Sequence, residues 1–343
     1  MAYTDIDKPT DYFNTKLYTG DGTSSNAITG VGFQPDWVWL KARSSSYSHQ
    51  LFDVVRGATK LLTSEAPDAE QTLSGVTSFD SDGFTVGSDA GSNNNTTTFA
   101  SWNWLASNTT ASNTDGDITS TVSVNTTSGF SIGTYSANAT AGATVGHGLG
   151  VAPDWLMVKV RNSTNNWAVY HKSMGETKAM YLDGTSAETT DGWLNNTAPD
   201  SSVFTLSGGN YGNASGYNLV FYAFAEKKGF SKFGSYTGNG NADGTFVYTG
   251  FKPAFVLMKN ASASATPWFI FDAKRNPSNE TDLKLNPNSS DAESSANPID
   301  ILSNGFKLRT SGSYNNGSGN TIIYMCFAEN PLVSTAGVPC TAR

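Results

Sequence analysis

The chain is short of charge, of cysteine and histidine, and of long apolar runs. Of its 343 residues only 15% are Asp, Glu, Lys or Arg, against roughly 25% in an average soluble protein. The charge it does carry is mostly negative, with a net of −8 and a pI near 4.8. A phosphate-backbone partner is therefore not expected, since such binding is driven by Lys and Arg neutralising phosphates. Cys326 and Cys340 are the only cysteines, which excludes a disulfide scaffold. With the scattered His49, His147 and His171 they make no zinc-ligand cluster. A single Cys326–Cys340 bridge stays open, although Cys326 sits in a buried-strand pattern where a thiol behaves as a small hydrophobe. No apolar run approaches the ~20 residues needed to cross a bilayer. The opening MAYTDIDKPTDYF has no basic stretch followed by an apolar one, so no secretory signal is read there. The expectation is a soluble protein made in a cytoplasm, leaving by some other route such as release inside a particle.

Turn formers and aromatic strand formers are abundant instead. Gly, Ser, Thr and Asn crowd the sequence, and 12% of residues are Phe, Trp or Tyr. That aromatic content separates it from disordered chains, which cannot bury enough apolar surface to order themselves. Short runs rich in Val, Ile, Phe, Tyr, Trp and Thr alternate with Gly, Asn, Asp and Ser clusters at roughly 8 to 15 residue intervals, as in a sandwich or jelly roll. No stretch sustains helical periodicity, and EAPDAEQ at 65–71 allows one helical turn at most. The expected fold class is all-β.

One phrase occurs three times: GFQPDWVWLKA at 32–42, GVAPDWLMVKV at 150–160 and GFKPAFVLMKN at 250–260. The copies keep Gly32, Gly150 and Gly250; Pro35, Pro153 and Pro253; Trp37, Trp155 and Phe255; and Lys41, Lys159 and Lys259. A turn-opening tyrosine precedes each, at Tyr18, Tyr135 and Tyr236, and the pair Ala-Glu recurs downstream at Glu70, Glu188 and Glu293. Each copy closes on an aromatic strand: FASWNWLA, LVFYAFAE and IIYMCFAE. A period of roughly 100 residues is a domain rather than a solenoid repeat. The chain thus reads as three tandem homologous β-sandwich domains, of jelly-roll type, at 16–106, 127–226 and 228–330. An N-terminal arm (1–15), a polar linker (107–126) and a C-terminal tail (331–343) lie outside them. The unequal linkers favour an irregular arrangement over equal spacing about a pseudo-threefold axis.

Within the phrase, glycine permits a tight entry turn and proline at a strand start loses no ladder hydrogen bond. The run after it is apolar on both alternating faces, so the strand is covered on both sides. A hairpin follows, bringing the lysine within reach of Asp53, His171 or Asp272. These lysines read as strand-end architecture, with the ammonium in water or paired to the aspartate, because three copies of one structural job do not make three catalytic sites.

The acids best placed for glycoside hydrolysis are Glu65, Asp68 and Glu70, but Pro67 puts them in a turn and only Glu70 recurs. The histidines have no nucleophile context, and neither a Walker loop nor a dinucleotide fingerprint is present. NTDGDI at 113–118 and DSDGF at 80–84 fall short of a calcium loop and read as turns. GSNNNTTTF at 91–99 reads as a polar tip able to offer amides and hydroxyls to sugars. No catalytic, cofactor or metal residue is assigned.

The stretches YTGDGTSSNAITGVGFQPDWVWLKAR, SDGFTVGSDAGSNNNTTTFASWNW, GDITSTVSVNTTSGFSI and FGSYTGNGNADGTFVYTGFKPAFVLMKN, with the ending GVPCTAR, resemble a family of tailed-bacteriophage virion structural proteins, notably from marine phages. The resemblance covers nearly the whole chain and implies concanavalin A-like lectin sandwiches. It also implies a non-enzymatic protein on the virion surface, assembled in the host cytoplasm, as a capsid decoration, head fibre or tail-fibre component. Implied partners are other virion proteins, further copies of the chain and host-surface carbohydrate, with no nucleic acid, membrane insertion or cofactor. The alternatives are a receptor-binding protein recognising host glycans and, behind it, a glycan-degrading enzyme. The unrepeated ends are the segments expected to dock on neighbours.

Overall fold

The computed structural model describes residues 3–209 and 211–341. Regular structure is almost entirely antiparallel β, with short helical turns at Pro9–Asp11, Ala90–Asn93 and Ser313–Asn316. Residues 65–71 form no helical turn. Among the described residues no helix is long and apolar enough to cross a membrane.

Three large sheets share one strand order. In the first, an entry strand Phe13–Thr19 lies beside the closing strand Thr98–Trp104, followed by the central strand Trp37–Ala42 and the return strand Gln50–Asp53. The second repeats this with Phe130–Ser136, Asn218–Phe224, Trp155–Val160 and Ala168–His171. The third does so with Ser231–Thr237, Thr321–Pro331, Phe251–Asn260 and Trp268–Asp272. The register is also the same. Trp37 faces Trp104 and Asp53, Trp155 faces Phe224 and His171, and Phe255 faces Phe327 and Asp272.

The central strands are buried on both faces because each large sheet has two covers. On one face lies a smaller sheet, and the two enclose a separate apolar core: Val38 and Leu40 with Val76, Phe84 and Val86 in the first unit. Leu156, Val158 and Phe204 do the same in the second unit, and Val256, Met258 and Phe306 in the third. This is sandwich packing. On the other face all three sheets meet in one shared core. It contains Trp37, Trp39, Trp102 and Trp104 from the first unit, Phe130, Trp155, Tyr222 and Phe224 from the second, and Phe255, Trp268 and Phe327 from the third. Trp37 stacks on Trp104 at 4.3 Å and meets Tyr222 at 4.6 Å, while Phe13 stacks on Phe327 at 5.1 Å. Each fully buried large apolar side chain contributes about 1.5–3 kcal/mol, so the shared core is a main source of cohesion between units.

The arrangement differs from the irregular one that the unequal linkers favour. The units close into a ring, because linker length limits reach and not packing. Residues 107–126 also differ from a plain linker. Ala111–Asn113 and Ser120–Asn125 add two strands to the edge of the second large sheet. Val122 and Val124 alternate inward onto that unit's core, a period-2 signal hidden among Thr and Ser. Cys326 and Cys340 are both free thiols, the former fully buried.

Candidate functional site

The repeated residues are all placed by this packing. Pro35, Pro153 and Pro253 are buried, and Pro253 sits at a register shift in its strand. Gly32, Gly150 and Gly250 have φ of 93°, 73° and 84°, which an L side chain adopts only under strain. Trp37, Trp155 and Phe255 have no exposed surface.

The lysines do not pair with Asp53, His171 or Asp272, and their ammonium groups are not in water. Since Trp37 is the residue opposite Asp53, Lys41 lies at the far end of the strand, and the same holds in the other copies. All three are fully buried. Lys41 Nζ donates to the Ala42 carbonyl at 2.8 Å, Lys159 to Val160 at 2.9 Å and Pro67 at 3.0 Å. Lys259 donates to the Asn260 carbonyl at 2.8 Å and Thr266 Oγ1 at 2.7 Å. Burial lowers their pKa to about 8, about 8 and about 7. Each bonds the last carbonyl of its own strand, and each also reaches a loop: Lys41 the Ser45 carbonyl at 3.4 Å, Lys159 the Pro67 carbonyl and Lys259 the Thr266 side chain.

Asp53 and Asp272 belong to the seams between units. Asp53, wholly buried, accepts from Arg56 Nε at 2.5 Å and from the Tyr222 hydroxyl of the second unit at 2.6 Å. Asp272 accepts from Arg275 and from Trp102 Nε1 of the first unit at 3.1 Å. At the remaining seam His171 Nε2 lies 3.2 Å from the Tyr324 carbonyl of the third unit. The recurring Ala-Glu pairs complete the ring. The N–H groups of Glu70, Glu188 and Glu293 donate to the carbonyls of Arg161, Ala261 and Arg43, at 2.7, 2.9 and 2.8 Å. Two of these glutamates also hold a forked arginine, Glu70 with Arg161 and Glu293 with Arg43. Every unit thus grips the next, and the third grips the first.

These placements account for the acids and bases singled out from sequence. Glu70 is bound to Arg56 and Arg161, and Glu65 accepts the His49 N–H at 3.2 Å. Asp68 is exposed and lines a polar cleft of about 310 Å³ with Asp89, which Gln50 holds at 2.6 Å. All three histidines are fully buried, and burial pushes each pKa down, for His171 to about 4. His49 Nδ1 accepts from Trp39 Nε1, and His147 Nδ1 from the Leu149 N–H. In the two turn segments Asp82 accepts from Gly30 and Gly32, and Asp117 from Thr144. Among the described residues no three His, Cys, Asp or Glu side chains group as a metal site.

Sequence reasoning missed a second repeated element. Asn93, Asn213 and Asn316 are buried, and each clamps the loop that follows the repeated tyrosine by bonding both backbone and side chain of Asp21, Asn138 or Asn239. The tyrosine hydroxyl donates to the carbonyl just before that asparagine: Ser92, Gly212 and Asn315, at 2.7, 2.7 and 2.6 Å. The Tyr-x-x-Asp/Asn spacing shared by Tyr18, Tyr135 and Tyr236 was the available signal. Within the polar run at 91–99, Ser92 and Asn93 are buried in this internal clamp, while Asn95 and Thr96 are exposed.

Fold and site together define an all-β protein in which three sandwich-like sheet pairs close on a common aromatic core through buried polar seams. Residues 8–331 match the family described as a domain of unknown function, DUF7483, and the chain belongs to that family. Searches of the curated proteins and of the solved structures found no match.

Proposed function

We propose that this chain is a non-enzymatic structural protein on the surface of a tailed-bacteriophage particle, as a capsid decoration, head fibre or tail-fibre component. The observation that carries the reading is where the chemistry-bearing side chains are used. Asp53, Asp272, Glu70, Glu293, His171 and the three repeated lysines are engaged in holding three units together or in fixing loops. A body closed in this way is stiff and resists local opening, as a particle exterior requires.

The ends supply the contact surface for neighbours. Tyr3 and Val338 are 67% and 64% exposed, and Tyr248 is 57% exposed. Tyr3, Tyr248, Leu332 and Val333 line one hollow of about 200 Å³, so arm and tail come together on the third unit. Asp7 of the arm accepts the backbone N–H of Thr335 in the tail at 2.7 Å. Large exposed apolar groups gathered in one place mark interaction surfaces. Incorporation into particles tests the reading. Protein lacking residues 331–343 should remain folded and be lost from purified particles, whereas full incorporation would contradict a docking role for the tail. Absence of the full-length chain from purified particles would contradict the particle assignment itself.

A further inference from the structure

One side of the sandwich is treated differently in each of the three units. In the second unit the chain itself closes it. Ser120–Asn125 pairs antiparallel with the entry strand Phe130–Ser136, and Val122 lies opposite Gly133. The residues just before that strand close the edge of the smaller sheet at Thr144–Gly146. Asp117 accepts the Thr144 N–H at 3.1 Å, the Ile118 N–H donates to the Thr144 carbonyl at 2.9 Å, and Ser120 Oγ donates to the Gly146 carbonyl at 2.7 Å.

Among the described residues no such segment covers the first or the third unit. Their entry strands are sheet edges, and so are the small-sheet strands Asn26–Thr29 and Phe246–Tyr248. A bare edge invites pairing with another chain unless a charge or a cover guards it. The first unit is guarded. Lys16 stands at the place of Gly133, where the second unit receives Val122, and its ammonium lies over Gly30 and beside Asp82. The outward residues of its small edge are Ala27 and Thr29. The third unit has neither guard nor cover. Gly234 stands at the place of Gly133. At the places of Ala27 and Thr29 it carries Phe246 and Tyr248, 44% and 57% exposed. The one lysine of these two edge strands, Lys232, is held by Glu226 at 2.8 Å. Two large apolar side chains thus stand in water on the unit whose edges are left unprotected.

We infer that this side of the third unit accepts an extended strand from another protein, antiparallel to Ser231–Thr237, as the second unit accepts residues 117–125 of its own chain. The second unit supplies the register. Gly238 N–H bonds the Asn320 carbonyl, so alternate residues of the entry strand serve the closing strand. The N–H and carbonyl groups of Phe233 and Ser235 therefore face the open side and meet the partner's backbone. The partner carries an acid and an aliphatic residue for the backbone of Phe246 and a hydroxyl for the Tyr248 carbonyl. Two small aliphatic residues in alternation, in the manner of Val122 and Val124, then face Gly234 and the Tyr248 ring, which lies over Gly250. The donor is a different protein rather than a second copy, because this chain's own segment of that pattern is consumed in its second unit. The site is read from the three units and holds whether or not the chain belongs to a particle.

The probe is a fluorescein-labelled peptide GDITSTVSVNT, residues 116–126, titrated with the full chain and followed by anisotropy. It should bind saturably. The same peptide with Ser123→Pro loses the N–H due to pair with Phe233 and should bind at least tenfold more weakly. In the protein, Ser235→Pro removes an outward N–H and no ladder bond, and should abolish binding by a chain that stays folded. Phe246→Ala with Tyr248→Thr gives the third unit the small edge of the first and should weaken binding about fivefold or more. No binding to the wild type, equal binding of the Ser123→Pro peptide, or undiminished binding by either folded variant would overturn the site. A wild-type dimer in sedimentation velocity that Ser235→Pro dissolves would assign the edge to a second copy and would also overturn the proposal.

Discussion

Arg56→Met puts the sharpest load on the first seam. Arg56 donates to Asp53 at 2.5 Å, to the carbonyls of Lys60 and Leu51 at 2.8 and 2.9 Å, and to Glu70 at 3.1 Å. Its side chain and that of Asp53 have no exposed surface. Removing one partner of such a pair leaves an uncompensated buried charge, which costs about 3–5 kcal/mol. The Tyr222 hydroxyl and the Arg56 N–H still bond Asp53, so the lower end of that range is expected. The second unit provides an internal control, since His171 and Met174 stand where Asp53 and Arg56 do. Asp53→His with Arg56→Met should therefore be less destabilised than Arg56→Met alone, because no carboxylate loses its cation. Guanidinium denaturation followed by tryptophan fluorescence measures both, read as midpoint shifts at constant slope. A loss under about 1 kcal/mol for Arg56→Met, or a double variant worse than the single, would refute the reasoning.

Further outcomes follow from the same structure. Burial holds Lys259 at a pKa of about 7 in the folded chain, below its unfolded value. The unfolded state then binds more protons from about pH 7 up to the ordinary lysine range, so this group's contribution to stability rises with pH across that window. Wild type should gain on Lys259→Met between about pH 7 and 9.5 in denaturation midpoint, and an equal gain by the variant would contradict it. Asn93→Ala strands its bonded partners at Asp21, Thr23 and Gly87 and should cost about 2–3 kcal/mol, with faster amide exchange across residues 20–26. A thiol reagent should label Cys340 in the native protein and Cys326 only after unfolding, since Cys326 has no exposed surface.

Much of each unit could be read before the structure. The apolar character of both faces of DWVWLKAR implied a strand covered twice, and Trp37 and Val38 do point into different cores. The seams were harder because their partners are remote. Glu70 meets Arg161, Trp102 meets Asp272, and Arg43 meets Glu293 at separations of 91, 170 and 250 residues. The recurring Ala-Glu pair was visible, but nothing local to it tells which carbonyl its N–H will find. The lysines were placed in water or against the acid, and neither holds, because hairpin register decides which end of the strand faces the acid. The open side of the third unit becomes visible only when equivalent edges of the three units are compared in space.

The central claim is that three units form one closed body rather than three beads. Scanning calorimetry of the full chain tests it most directly. One cooperative transition is predicted, with calorimetric and van't Hoff enthalpies in a ratio near one. Separate transitions, or a ratio near three, would show units that unfold independently and would contradict the account.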